Sequence, residues 1–476
     1  MAKRSAHFAS IALLLCACGP ESNEGWSYSD STERVPIVLI VLDAMHAGHV
    51  SHLGYDRLTT PNIDALAQAG TSFLKAFAPT PYTLASIPTI LTGRHPDRHG
   101  VTQPGSELPA HETTLAEVLG RAGYKTHAMV GNLQGSSLHA LEQGFEVYEE
   151  LFRGAVESDA GPASGTVRIP TAFEYLPVLK NWTQANDERP PFYYMHFLEP
   201  HMPYDPPAEF RSRFLDSDYR GPFEDGANGG EDEREATSPK RRNRAIHRNA
   251  VRALYDAHLA FVDDHVGQVL EHLKSIGLYE RALIILTSDH GESLWQHGHW
   301  GHSTQVYDEM LHVPLVVKWP AEFAIQGQRI DELTSLMDIT PTICEALGIS
   351  PPEGRLQGVS LIPLARADSK FSRAASDRKL ISRTNHEVAV MSLRSDTRKT
   401  ILTRDQETGE AVLVEHYDLL NDPNELRDLG PGEHSAADVE TLLKWARGAY
   451  QTAPSTDREL TDAEREHLGD LGYIGD

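Results

Sequence analysis

Two segments of the sequence end an apolar run with residues that can bind a metal ion. In ALIILTSDHGE, residues 282–292, the run is followed by Asp289 and His290. In PIVLIVLDA, residues 36–44, a similar run ends at Asp43. Carboxylates and neutral imidazoles bind divalent cations, and a bound cation can activate a nucleophile or polarise an ester. The alternative for each segment alone is a polar turn after a strand, but two acids at the same kind of strand end favour a shared metal site.

The elements that must position these residues are buried strands. The β-branched runs at 36–42 and 283–286 predict two of them, and PFYYMHFLEPH, residues 191–201, predicts a third. Helix-like spacing between the strands predicts an α/β fold with a mostly parallel central sheet, whose ligands gather beyond the carboxyl ends of the strands. After about residue 365, the short runs VAVMSLRS, KTILTR and AVLVEHYDL predict a smaller C-terminal subdomain with an antiparallel sheet.

Composition narrows the possible partners. A chain of 476 residues can bury a large core. Its formal net charge of −25 argues against a nucleic-acid surface, which needs a basic stripe. An anionic substrate would therefore depend on local cations, such as a metal ion or nearby His and Arg side chains. The segment 214–243, rich in Asp, Glu, Gly and Arg, predicts a solvated insertion.

The N-terminus predicts export and lipid anchoring. Residues 1–18 combine a basic start with an apolar stretch too short to span a membrane, and L-C-A-C resembles a bacterial lipobox with Cys18 as the lipidated residue. Residues 19–34 would form a polar tether. We therefore expect a lipid-anchored protein of the bacterial cell envelope, with a cleaved signal peptide as the alternative. Cys344, alone in the mature chain, is expected to be a buried helix residue.

With these elements placed, the chain resembles the sulfatase family of the alkaline-phosphatase-like superfamily. The resemblance covers nearly all of the mature chain and is carried by these segments: IVLIVLDA, TTPNIDALAQAGTSFLKAFA, LTGRHPDRHGV, MHFLEPHMPYDPP, LTSDHGESLWQHGHWGHST, VPLVVKWP, MDITPTICEALGI and YDLLNDPNELRDL. It implies an alkaline-phosphatase-like layered fold with helices flanking the sheet. It also implies a catalytic domain at 35–365 and a C-terminal subdomain at 366–476.

The chain departs from the family at the nucleophile. Sulfatases carry a Cys or Ser that is oxidised to formylglycine within a C/S-x-P-x-R motif. Aligned on L-T-G-R, the nucleophile position is Thr83, and Ala85 and Ile87 replace the motif Pro and Arg. Thr cannot become formylglycine, so Thr83 is predicted to be the nucleophile itself or a metal ligand. The alternative is a loop residue in an inert relative.

The resemblance implies one divalent metal ion, which could be Ca, Mn, Zn or Mg, held by Asp43, Thr83, Asp289 and His290. This set resembles the single-metal sites of the phosphoglycerol-transferase and nucleotide-pyrophosphatase branches of the superfamily, which use Thr. Since a Thr ester must be cleaved by attack at sulfur or phosphorus, whereas formylglycine can eject sulfate, Thr83 favours phosphorus chemistry. Sulfate and phosphate esters both stay open.

Three further residues are predicted to act on the substrate. His201, in E-P-H-M-P-Y, aligns with a family residue at the substrate anion, and His302, in W-G-H-S-T, lies where sulfatases often have Lys. Either could protonate the leaving oxygen. Arg94, in T-G-R, could clamp an anion, with a loop-holding salt bridge as the alternative. His196, within an apolar strand, is expected to be structural.

Three functions compete at this stage. The first is an exported metal-dependent hydrolase of a small-molecule, glycan or lipid sulfate or phosphate ester, with Thr83 as nucleophile. The second is a transferase that passes a phospho-headgroup to a lipid or glycan acceptor. The third is a non-catalytic anion-binding relative, which has no need of Asp43, Asp289 and His290 together. The sequence does not indicate an oligomeric state.

Overall fold

The computed structural model describes residues 34–470 except 154–168, 186, 229–243, 326, 352–355, 368–376, 385–388, 406–407, 409 and 450–459. The predicted signal peptide lies outside the described residues, as does all of the predicted tether but Arg34. Within the described part of the chain, no helix is long and apolar enough to cross a membrane.

A large mixed sheet forms the centre of the molecule. Its eight strands lie in the order β10-β2-β9-β6-β1-β5-β3-β4. β9 is antiparallel to both of its neighbours, and the other pairings are parallel. The bounds are β1 Ile37–Asp43, β2 Thr71–Phe77, β3 Lys125–Val130, β4 Val147–Glu150, β5 Pro191–Pro200, β6 Leu283–Ser288, β9 His312–Lys318 and β10 Gln328–Ser335. A two-stranded ribbon follows β6, formed by β7 Ser293–Leu294 and β8 Trp300–Gly301.

Helices cover both faces of this sheet. Short 3-10 turns link several elements, and the α-helices of the described residues are α1 Pro61–Ala69, α2 Thr83–Thr92, α3 Pro96–His99, α4 Leu115–Arg121, α5 Tyr175–Gln184, α6 Ala208–Phe214, α7 Arg244–Ser275, α8 Asp308–Leu311, α9 Ile339–Ala346, α10 Ile362–Ala365, α11 Glu433–Ala449 and α12 Asp462–Asp470. A capping box, in which Thr114 and Glu117 bond each other's backbone, starts α4. Cys344 is buried in α9, as the sequence predicted.

Strand alternation divides the core into two layers. Leu39 and Val41 of β1 pack with helix α2 on one face of the sheet. Val38, Ile40 and Leu42 of the same strand pack with the long helix α7 on the other face. Because side chains alternate along a strand, Asp43 at the end of β1 belongs to the α2 face. The face of the sheet on which a side chain lies therefore determines which other side chains it can contact beyond the strand ends.

The C-terminal subdomain is a separate antiparallel sheet with the order β11-β12-β13-β14. Its strands are β11 Leu380–Arg383, β12 Ala389–Arg394, β13 Arg398–Arg404 and β14 Ala411–Asp418. Lys399, which is fully buried in β13, binds Asp308 of α8 at 2.8 Å and thereby joins this sheet to the larger domain. The predicted fold class, a mostly parallel layered sheet with a smaller antiparallel one, is confirmed.

The prediction that residues 214–243 form a solvated insertion is wrong for part of this segment. Tyr219 and Phe223 are buried in a cluster with Tyr204 and Tyr255. Composition alone misses this because two aromatic side chains among charged residues suffice to anchor a loop. The rest of the insertion, 229–243, lies outside the described residues.

Candidate active site

Three elements bring the predicted nucleophile and metal ligands together. β1 ends at Asp43, its parallel neighbour β6 is followed by Asp289 and His290, and Thr83 is the first residue of α2. The Thr83 hydroxyl oxygen lies 3.4 Å from Asp43 Oδ1 and 3.0 Å from His290 Nε2. All four residues are fully buried. A helix N-terminus also carries a partial positive charge, which favours an anion at Thr83.

The backbone after each strand fixes the orientation of Asp289. Its Oδ1 accepts hydrogen bonds from the backbone N–H groups of Ala44, at 3.2 Å, and His290, at 2.8 Å. Ala44 adopts a left-handed φ of 60°, which is uncommon for a residue with a Cβ atom. The other oxygen, Oδ2, is buried and has no hydrogen-bond partner among the described residues. An oriented, buried carboxylate oxygen without a donor is a ready ligand for a cation.

His196 joins this cluster, although the sequence suggested a structural role for it. One ligand atom each from Asp43, His196 and Asp289 lie within 4.8 Å of one another. His196 Nε2 lies 3.6 Å from Asp43 Oδ2, and neither ring nitrogen has a hydrogen-bond partner among the described residues. Burial lowers the pKa of His196 to about 4, so that the ring is neutral and can offer a lone pair.

The electrostatics of the cluster suit a cation. Burial, followed by the charge of Asp289, raises the pKa of Asp43 well above its usual value. Asn132 counteracts this shift in part because its side-chain amide donates a hydrogen bond to Asp43 Oδ2. Burial also raises the pKa of Asp289, but His290 and His196 outweigh that effect and lower it. Two buried carboxylates with neighbouring imidazoles match the ligand set of a divalent metal ion, so the donors fit the implied group.

His290 has a defined tautomer when neutral. Its Nδ1 lies 2.8 Å from the carbonyl oxygen of Gly291, which can only accept a hydrogen bond, so Nδ1 carries the proton. Nε2 then presents its lone pair towards Thr83 and the two carboxylates. Nε2 lies 3.5 Å from Asp289 Oδ2 and 3.6 Å from Asp43 Oδ1. The same nitrogen can therefore serve as a metal ligand or accept the Thr83 proton.

A second group of side chains adjoins the metal ligands. The ring of His302 lies 4.4 Å from the ring of His290 and 4.8 Å from that of His201, measured between centroids. His302 Nδ1 lies 3.0 Å from Glu292 Oε1, and the Tyr204 hydroxyl donates to Glu292 Oε2 at 2.7 Å. Burial raises the pKa of Glu292 to about 7. The sequence did not predict a role for Glu292 or Tyr204, because no strand or helix periodicity indicates which side chains these two residues contact.

Arg94 lies away from this cluster. It follows the C-terminal end of α2, a ten-residue helix that starts at Thr83 and spans about 15 Å at about 1.5 Å per residue. Its guanidinium binds both carboxylate oxygens of the buried Glu112, at 2.6 and 2.7 Å. The geometry therefore corresponds to the alternative, an ion pair that holds the loop, and Arg94 has no part in the function proposed below.

The comparisons with known proteins agree with this architecture. The sulfatase family model matches residues 36–349, and a model of the C-terminal part of N-sulphoglucosamine sulphohydrolase matches residues 296–446. An arylsulfatase of Clostridium perfringens is 25% identical over 458 residues, which cover 86% of this chain and 92% of the relative.

Solved structures share the fold. A phosphonate monoester hydrolase of Agrobacterium radiobacter aligns with a TM-score of 0.66 at 23% identity, covering 90% of this chain and 100% of that chain. A protein solved in complex with its substrate, D-glucosamine-2-N,6-O-disulfate, aligns with a TM-score of 0.67 at 21% identity, covering 88% and 98%. Since the sulfatase family model spans well over half of its length, this chain belongs to the sulfatase family, as its motifs predicted, and is a hydrolase acting on sulfate or phosphate esters.

Proposed function

We propose that the protein hydrolyses its ester through a covalent intermediate on Thr83 and that it depends on a divalent metal ion. The observation that carries this proposal is the position of the Thr83 hydroxyl. It is buried at the N-terminus of α2, within 3.4 Å of Asp43 Oδ1 and 3.0 Å of His290 Nε2. A nucleophile next to a proton acceptor that is itself oriented by a third group is the usual arrangement for covalent catalysis.

Asp43, Asp289 and His290 would hold the metal ion, with His196 as an additional ligand that the structure brings to the same cluster. When bound, such an ion lowers the pKa of a nearby hydroxyl and neutralises charge on the transferred group. The ligand types admit Ca, Mn, Zn or Mg. Asn132 keeps Asp43 oriented because its amide donates to Asp43 Oδ2.

The chain's own residues account for the proton transfers. Asp43 Oδ1 is the acceptor positioned to take the Thr83 proton as its oxygen attacks sulfur or phosphorus, because the single lone pair of His290 Nε2 would be used by the metal ion. The positive end of α2 stabilises the negative charge of the transferred group. His201 and His302, next to this cluster, are the candidates for protonating the leaving oxygen.

The identity of Thr83 bears on the choice between sulfate and phosphate. The threonyl ester has no hydrate that could collapse and expel the oxyanion, so water must attack sulfur or phosphorus to release it. Phosphoryl transfer under electrostatic stabilisation is the reaction for which such a site is best suited. We therefore expect phosphate mono- or diesters to be turned over at least as well as sulfate esters.

A panel of variants and esters tests the proposal. Aryl sulfate, aryl phosphate and aryl phosphodiester are offered to the wild type, Thr83→Ala, Thr83→Ser and Asp289→Ala, after the metal content of each has been measured. Thr83→Ala should lose activity by at least about 10³-fold, whereas Thr83→Ser should keep measurable activity because it keeps the hydroxyl. Intact-protein mass spectrometry of quenched reactions should detect the ester on Thr83. The matched control is Thr92→Ala, which removes a buried hydroxyl from the other end of the same helix.

Full activity of Thr83→Ala would rule out the nucleophile, and an enzyme that neither contains nor binds a divalent cation would rule out the metal site. A transferase shares this site and differs only in the acceptor. It would release less free phosphate than phenol when a glycerol or glycan acceptor is added.

We also propose that the protein is lipid-anchored in the bacterial cell envelope, on the basis of the lipobox-like run that ends at Cys18. The full-length protein and Cys18→Ala would be expressed in a bacterium, and membranes and soluble material would be separated. The wild type should stay with the membranes and incorporate a labelled fatty acid, whereas Cys18→Ala should do neither. Equal labelling of both would exclude the anchor.

A further inference from the structure

The first third of helix α7 projects beyond the strand ends that carry the active site. α7 ends at Ser275, before the amino end of β6, so its beginning lies beyond the opposite, carboxyl edge of the sheet. Tyr255 lies at the level of that edge, because its hydroxyl donates to the carbonyl oxygen of Ala44, next to Asp43, at 2.7 Å. Arg248 precedes Tyr255 by about two turns and therefore lies about 10 Å further out at about 1.5 Å per residue. This part of the helix can contact the portion of a substrate that extends out of the active site.

Three arginines repeat every four residues along this part of α7. They are Arg244, Arg248 and Arg252, and the i, i+4 spacing places them on one side of the helix. Within the described part of the chain, none of the three forms an ion pair with a carboxylate. Burial, followed by the positive charges of Arg244 and Arg252, lowers the pKa of Arg248. In a chain with a formal net charge of −25, three such arginines are available to an anionic ligand.

Two of these arginines contact the β7–β8 ribbon, which follows β6 in the chain. Arg252 donates to the carbonyl oxygen of Leu294 in β7, at 3.0 Å from Nε and at 2.7 Å from Nη2. The Arg248 guanidinium lies over the indole ring of Trp295, with Cζ 5.1 Å from the ring centroid. Trp295 adopts a left-handed φ of 69°, which is rare for a bulky residue, and its backbone N–H donates to the carbonyl of His299 at 2.7 Å. The ribbon therefore holds the indole against Arg248 in a fixed orientation.

Arg248 and Trp295 both contain a buried N–H group that lacks an acceptor. Trp295 is only 5% exposed, and its Nε1 has no hydrogen-bond partner among the described residues. The Nε of Arg248 is likewise buried without a partner in the described part of the chain. Both groups can only donate, and a buried donor without an acceptor is costly. An oxyanion at the edge of this stacked pair would supply the missing acceptors, and a guanidinium binds such a group through two parallel N–H donors.

We propose that Arg248 and Trp295 bind a second anionic group of the substrate, and that the enzyme prefers esters that carry a further sulfate, phosphate or carboxylate. The inference rests on the function proposed above, because it names the substrate class of that same site. Arg244 and Arg252 raise the positive potential around the second group, and Arg252 also fixes the ribbon that carries Trp295. Since Arg248 lies about 10 Å beyond the strand ends along α7, such a substrate is longer than an aryl ester, as a disaccharide is.

Disaccharide esters with one or two anionic groups make the measurement. A disaccharide sulfate and the corresponding disulfate, and the same pair of phosphates, are offered to the cation-loaded wild type, and kcat/KM is measured for each. A hydrogen bond to a charged group contributes about tenfold to 10²-fold in affinity. The wild type should therefore prefer the two-anion ester by at least about tenfold in kcat/KM, mainly through a lower KM.

Variants of Arg248 and Trp295 test the two residues. Arg248→Ala should reduce the preference for the two-anion ester by at least about tenfold, whereas Arg248→Lys should keep part of it, because it keeps the charge but not the paired donors. Trp295→Phe keeps an aromatic ring and removes the indole N–H, and it should also lower the preference. The matched control Arg213→Ala removes another arginine that lies over an aromatic ring, Phe214 at 5.3 Å, and should leave the preference unchanged. The preference is a ratio of two rates from one enzyme, so partial misfolding of a variant does not alter it.

Binding is measured apart from turnover in Thr83→Ala. In isothermal titration calorimetry, the two-anion disaccharide should bind at least about tenfold more weakly when Arg248→Ala is added to Thr83→Ala. Its affinity should also fall with added NaCl more steeply than that of the one-anion ester, since salt screens each charge contact. Arg248→Ala should abolish that difference in salt dependence.

Each failure points to a different assumption. If Arg248→Ala keeps the wild-type preference, or binds the two-anion disaccharide as tightly as its parent does, the subsite is overturned and the proposed function stands. If inorganic sulfate or phosphate raises the turnover of the one-anion ester in the wild type and not in Arg248→Ala, the site binds a free anion and the substrate assignment is overturned. If Thr83→Ala stays fully active, the proposed nucleophile fails, and the preference of the wild type over that of Arg248→Ala still decides the subsite.

Discussion

Two buried carboxylates predict that a divalent cation stabilises this fold. Asp43 and Asp289 are both fully buried at the ends of adjacent strands, and Asp289 Oδ2 has no hydrogen-bond partner among the described residues. A cation at 100 times its dissociation constant stabilises the folded state by about 2.7 kcal/mol. For 476 residues, an unfolding entropy of about 2.1 cal/mol/K per residue converts that energy into a Tm increase of roughly 3 °C.

Asp43→Asn separates the cation effect from the effect of the charge. The asparagine can still accept the hydrogen bond from Asn132 that Asp43 accepts. It also removes the like-charge repulsion with Asp289. We therefore expect the metal-free variant to unfold at or above the temperature of the metal-free wild type, and to gain nothing from added cation.

Differential scanning calorimetry after chelation, with and without added Mn²⁺, Ca²⁺, Zn²⁺ or Mg²⁺, makes the measurement. Asp338→Asn serves as the control because it neutralises another buried carboxylate, one held by Arg378, and should keep the cation response. The reasoning is refuted if none of these ions raises the Tm of the wild type. It is equally refuted if Asp43→Asn responds to an ion as strongly as the wild type does.

Three further outcomes follow from described contacts. His196→Ala should weaken cation binding by at least about tenfold in isothermal titration calorimetry, and unchanged affinity would restore its structural role. Arg94→Ala should leave KM unchanged and lower the free energy of unfolding in urea by about 1–3 kcal/mol, because buried Glu112 loses its partner. A raised KM at unchanged stability would indicate instead that Arg94 binds the substrate. Lys399→Met should cost about 3–5 kcal/mol because it removes the cation that pairs with Asp308 and with the fully buried Glu425, and a smaller loss in urea unfolding would show that Lys399 does not hold the subdomains together.

The sequence predicted the strands that position the site but not the order of the sheet. The runs at β1 and β6 are apolar and β-branched, and the run at β5 is apolar and rich in aromatic residues, so each could be recognised by itself. β9 inserts antiparallel between β2 and β6. Its placement depends on pairings between segments far apart in the chain, and no local pattern encodes them.

The site was predictable where residues lie at strand ends and was missed where they lie within a strand. Asp43 and Asp289 stand out because a charge follows an apolar run. His196 lies inside β5 in register with Val41, so strand alternation places it on the same face of the sheet as Asp43. Both faces of β5 are buried, and a fully buried strand has no polar–apolar alternation that would mark His196 as different from its neighbours.

The identities of Thr83 and His302 are chemically linked. In the sulfatase family the formylglycine releases its sulfate by collapsing to the aldehyde, and a Lys often lies at the position of His302. The ester that we propose on Thr83 would instead be attacked by water, which needs a group that can take up a proton. A lysine ammonium, with an unperturbed pKa of about 10.4, keeps its proton at neutral pH, whereas an imidazole gives one up in the first step and recovers it in the second. If Thr83 is the nucleophile, as we propose, a histidine at that position would serve both steps, and Glu292, whose Oε1 lies 3.0 Å from His302 Nδ1, would orient its ring.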